Sequence, residues 1–154
     1  MAPILKKKRD CSHPKLSFKL APMKLVELIY LACPFRHADP KIQAERCAAA
    51  HRAAAQLFNE GRHVFSPLTH NELLIEMLPH VPGEHWMQFD LAILAHCKYL
   101  YVLKVDGWEQ SKGVQREITF AKERGIQIEM IEPSEFDKAH PNLLTSGLNH
   151  RRNR

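Results

Sequence analysis

Apolar and polar positions fall in blocks along this chain, and the blocks change period. Leu25–Ala32, LVELIYLA, is a nearly continuous apolar run that stops before Pro34, the pattern of a central strand covered on both faces. Asp39 and Pro40 follow as an N-cap and a first helical residue, and Ile42 to Phe58 continues as an Ala-rich helix closed by Gly61. His63–Phe65 reads as a short second strand ended by Ser66-Pro67. Thr69 to Met77 predicts a short helix with Thr69 as cap, and the chain breaks from Pro79 to Gly83. A helix resumes at Glu84 or His85 and runs to Cys97, with Trp86, Phe89, Ile93 and Leu94 apolar. Tyr99–Val105 is the third strand and Ser111–Arg124 the next helix, with Val114, Ile118 and Ala121 on one stripe before Gly125. Ile126–Ile131 is a fourth strand, followed by a short piece around Phe136; a fifth strand near 134–144 has little support.

Strands alternating with helices predict an α/β fold: a three-layer α/β/α sandwich on a Rossmann-like (flavodoxin-like) parallel sheet of four to five strands. The expected organisation is a disordered basic extension over 1–24, one domain over 25–140, and a polar basic tail over 141–154. Met23 offers a second starting point, just before the first strand. Hydrophobic residues make up 45 % of the chain and charged residues 25 %, ordinary for a globular protein. The net charge of +5 belongs to the ends. Seven Lys/Arg and one acid lie in 1–24 and three Arg in 151–154, which leaves 12 bases against 16 acids in 25–150. Nucleic acid is therefore not expected as a partner. No apolar run approaches the roughly 20 residues that span a bilayer, and no secretory signal is evident, so no membrane partner and a cytoplasmic location are expected. Cys11, Cys33, Cys47 and Cys97 form no CxxC pair; small buried hydrophobes in a reducing cell is the expectation, with no metal and no cofactor.

Three loops should converge at the carboxyl edge of such a sheet, where ligands bind. Loop 33–39 offers Arg36 and His37, loop 66–71 offers Ser66 and His70, and loop 106–113 offers Asp106, Ser111 and the N–H groups around Gly113. Glu117 lies one helical turn beyond Gly113; it either serves chemistry on a sugar or phosphate ester or only favours the helix dipole. Asp90 shares a helix face with Trp86 and needs a partner, Arg36 among the options. Several motifs are missing: no GxGxxG follows the first strand, and there is no GxxxxGK[ST], no GxSxG and no HExxH. His80 and His85 read as surface residues.

Tyr30-Leu-Ala-Cys-Pro-Phe-Arg36 resembles the opening YLAGP-type motif of the nucleoside 2-deoxyribosyltransferase superfamily. Asp90, ahead of the strand Tyr99–Leu103, resembles its acid before the third strand. Ser111-x-Gly113-x-x-x-Glu117 resembles its S-x-G-x-x-x-E segment. Order and spacing agree over about residues 25–131, and the likeness is greatest to small uncharacterised bacterial and phage-type members. The resemblance implies N-glycosyl transfer or hydrolysis on a nucleoside or nucleoside 5′-monophosphate, with Glu117 as nucleophile and Asp90 orienting the attack or handling the proton of the leaving base. It implies a substrate pocket of Tyr30, Pro34, Phe35, Arg36, Ser66, Trp108, Ser111 and Gly113, and a homo-oligomer, to which the face bearing Trp86 and Phe89 would be suited. A non-catalytic nucleotide-binding or sensing module on the same fold is the alternative. Cys33 stands where a Gly is usual, Lys98 where Asp is frequent, and the loop with Trp108 and Glu109 is atypical.

Overall fold

The computed structural model describes residues 26–137; the expected extension, the tail, Cys11 and most of the doubtful fifth-strand region lie outside them. Four strands, β1 (Leu28–Ala32), β2 (His63–Phe65), β3 (Tyr99–Leu103) and β4 (Gln127–Ile131), form one sheet. All pairs are parallel and the order is β2-β1-β3-β4. Helices α1 (Pro40–Asn59), α2 (Pro67–Met77), α3 (Gly83–Leu94) and α4 (Lys112–Glu123) connect them, and Pro133–Phe136 forms a 3-10 turn.

Side-chain alternation along each strand splits the core in two. Ile29, Leu31, Tyr101 and Leu103 pack on one face with Ala49, Ala53 and Leu57 of α1 and with Phe136. Tyr30, Ala32, Leu100 and Val102 pack on the other with Leu94 of α3 and Val114, Ile118 and Ala121 of α4. The expected α/β/α sandwich is the observed fold, on four strands. Helix α2 joins the two layers beside β2: His51 of α1 lies 3.5 Å from Glu72, and Asn71 reaches Asp90 of α3.

Some boundaries differ, for local reasons. Strand β1 starts at Leu28, the first residue with a partner across the sheet. Strand β3 stops at Leu103 because the Val105 N–H turns back to the Leu103 carbonyl, 2.9 Å. Helix α2 begins at Pro67 with Ser66 in the cap position, not at Thr69, since a proline pre-sets the first helical turn. Helix α3 ends at Leu94; the Cys97 N–H then closes a tight turn on the Leu94 carbonyl, 3.0 Å. Helix α4 begins at Lys112, one residue later than expected, because Ser111 is its cap: Oγ accepts from the Val114 N–H at 3.4 Å.

Candidate active site

In this strand order the chain leaves β1 toward β2 and leaves β3 toward β4. The loops after β1 and β3 therefore diverge, and a crevice belongs at their shared boundary. Tyr30 sits in β1 facing the α3–α4 layer, and its hydroxyl donates to Glu117 Oε1 at 2.6 Å. Glu117 falls on the buried stripe of α4 with Val114, Ile118 and Ala121, and is 6 % exposed.

Burial raises the Glu117 carboxyl to about 8; the Tyr30 hydrogen bond opposes this and the charge of Asp90 adds to it. Burial likewise raises Asp90 to about 6, against the hydrogen bond from Asn71 and the charge of His70. The Tyr30 phenol is pushed well above its ordinary value by burial and then by the charges of Glu117 and Asp90. It stays a donor at any physiological pH. The two acids thus both lie near Tyr30, whose phenol feels the charge of each, and Glu117 feels the charge of Asp90.

Asp90 does not pair with Arg36. Its Oδ1 accepts from Asn71 Nδ2 at 3.0 Å, both side chains being buried. The Arg36 guanidinium is exposed and lies against Gly83, where a Cβ would collide with it. Arg116 pairs with Glu84 through two contacts of 2.7 and 2.8 Å, so this neighbouring cation does not neutralise Glu117. Beyond Tyr30, aromatic rings step toward the surface: Tyr30–Phe65 centroids are 5.8 Å apart, Phe65–His70 5.3 Å, and His70–Phe89 stack at 6.0 Å.

Of the other expected residues, Pro34 is fully buried at the start of the first loop and Phe35 is half-buried. Ser66 is buried, with an Oγ that has no hydrogen-bond partner. Trp108 is half-buried and packs against the α3–α4 core. The Ser111 hydroxyl is engaged in capping α4. Gly113 stands near Met87; a Cβ there would lie 3.5 Å from Met87 Cε, an ordinary contact. Two surface hollows, one among Cys97, Lys98, Arg124 and Gly125 and one between α3 and α4, are not lined by either acid. Among the described residues no three His, Cys, Asp or Glu side chains group to hold a metal ion. Burial raises Cys33 to about 12 and Cys97 to about 11, so both thiols stay protonated.

Two residues escaped the sequence reading. Asn71 holds Asp90, and Arg46 of α1 reaches two loop carbonyls. Arg46 falls on the apolar stripe with Ala49, Ala50, Ala53 and Leu57, which is the signal that could have exposed it. Asn71 in a short helix carried no comparable signal.

The profile of a family described as a domain of unknown function, DUF1937, matches residues 27–132. The chain belongs to this family. The match takes in all four strands and both acids. A solved 2-deoxyribosyltransferase from the psychrotolerant bacterium Bacillus psychrosaccharolyticus is similar over 69 % of this chain and 72 % of that one, at 23 % identity and a TM-score of 0.47. No curated protein matches. No described helix of this DUF1937 chain is long and apolar enough to cross a membrane.

Proposed function

We propose that this protein cleaves the N-glycosyl bond of a nucleoside or nucleoside 5′-monophosphate, passing the sugar to another base or to water through a Glu117 ester. The observation that carries this reading is two buried carboxyl groups, Glu117 and Asp90, whose charges both act on the Tyr30 phenol beside the β1/β3 boundary, with Tyr30 hydrogen-bonded to Glu117. Placing two acids on an apolar face lowers stability, and retaining glycosyl chemistry gives them a task.

With one group near 8 and the other near 6, the pair holds a single proton around pH 7. The reaction needs one. Those values keep the proton on Glu117 at rest; attack draws on the arrangement in which it has moved to Asp90 and the Glu117 carboxylate is free to reach C1′. An ester bond forms as the C1′–N bond breaks, and the proton passes from Asp90 to the departing base nitrogen. Water or a second base then attacks C1′ as the ester bond breaks, gives its proton to the Asp90 carboxylate and frees Glu117. The developing oxocarbenium charge is stabilised by a carboxylate in a dry site.

The test is incubation with a panel of deoxynucleosides and their 5′-monophosphates, with free base followed by chromatography. Release by the wild type that vanishes in Glu117→Ala is the expected result. Activity should follow a bell between about pH 6 and 8, since losing or gaining a proton disarms the pair.

One observation favours a second reading, a nucleotide-binding or sensing module without turnover. Glu117 is nearly closed off and held mostly protonated at neutral pH. Ligand binding by calorimetry with no base release at any pH from 5 to 9 would select it.

A further inference from the structure

Arg46 lies in the second turn of α1 and is 7 % exposed. A guanidinium stays charged at every accessible pH, so burying one is costly unless its donors are used. Two of its nitrogens reach separate loops, Nη1 donating to the Arg36 carbonyl at 2.8 Å and Nη2 to the Asp106 carbonyl at 2.7 Å, while the buried Nε has no hydrogen-bond partner. The first loop follows β1 and the second follows β3, 60 residues further along the chain than Arg46. Cys33 adds a contact from the first loop to the same place, Sγ to the Arg46 carbonyl at 3.6 Å. Gly107, next to Asp106, has φ +82°, and a Cβ there would lie 2.5 Å from Arg46 Nη2. Both the backbone turn and the close approach thus ask for glycine at 107.

We propose that Arg46 is a positioning residue, whose guanidinium bridges the loops after β1 and β3 through the carbonyls of Arg36 and Asp106 and so fixes the width of the crevice between them. One loop carries Pro34, Phe35 and Arg36, the other leads through Trp108 to Ser111 and Gly113. Holding both before a ligand arrives removes an ordering cost from binding. The identity of the ligand rests on the N-glycosyl reading above; the bridge itself does not.

Amide hydrogen exchange of the full chain tests it. Arg46→Met fills similar volume without donors, and its urea midpoint should be unchanged or raised, because a buried charge is gone. Exchange in residues 33–39 and 104–111 should nevertheless speed up, while the strands keep wild-type protection. Gly107→Ala, on the other loop, should do the same, and Arg46→Lys, with one ammonium for two carbonyls, should fall between. For any deoxynucleoside 5′-monophosphate that the wild type binds, Arg46→Met should raise Kd or KM on the order of tenfold and move kcat less. Wild-type exchange in both loops of Arg46→Met, or faster exchange everywhere in step with a lower urea midpoint, would overturn the bridge. Should Arg46→Met not fold, Gly107→Ala decides on the same readout. A wild type that neither binds nor cleaves any nucleoside removes the glycosyl reading, and the exchange result still decides the bridge.

Discussion

A carboxyl group on the apolar stripe of a helix is destabilised as its charged form, and the molecule bears that at two positions. The sign of the effect follows from proton counting. Glu117 and Asp90 have folded values of about 8 and about 6, above the ordinary 4.5 and 3.8. Between the ordinary and raised values the folded chain binds more protons than the unfolded one, so stability is greatest in acid and falls as pH rises through that window. Glu117→Gln keeps an acceptor for the Tyr30 hydroxyl and removes the ionisation. Its urea midpoint should match the wild type near pH 5 and exceed it at pH 9; equal midpoints at both would contradict the raised value. Tyr30→Phe deletes the hydrogen bond that favours the Glu117 carboxylate. The alkaline limb of base release should then move to higher pH.

At the scale of elements, local chemistry sets most of the boundaries. Asp39 Oδ1 accepts from the Lys41 N–H at 2.8 Å and caps the 20-residue α1. Asp39→Ala should cost about 1 kcal/mol in chemical denaturation. Burial sets a larger scale in the strands. Leu31 in β1 is wholly enclosed between β2 and β3, and Leu31→Ala should cost about 2–5 kcal/mol by the same measurement. The strand ends that moved relative to expectation, at Leu28 and Leu103, coincide with the first and last residues paired to a neighbouring strand. Periodicity has no access to a partner's length.

At the scale of the whole molecule, α2 leaves apolar side chains uncovered: Leu73 is 63 % exposed and Met77 75 %, while Phe89 of α3 is 37 % exposed nearby the same aromatic cluster. We propose that the homo-oligomer implied by the resemblance would use this α2 surface with Phe89, Trp86 being half-buried. Light scattering at micromolar concentration should give a dimer or higher state, reduced to monomer by Leu73→Glu. A monomeric wild type would remove the proposal.

The order of strands and helices, the cap at Asp39 and the awkward place of Asp90 on an apolar helix face were legible in the sequence. Each rests on spacing within one segment: an apolar run, a capping residue before a helix, a charge at a position where the stripe should be apolar. Asp90's true partner, the Tyr30 contact to Glu117 and the reach of Arg46 were not, because they join segments 19, 87 and 60 residues apart. The raised carboxyl values belong to the same class. They come from the water that packing excludes, and only the assembled layers decide how much of it is gone.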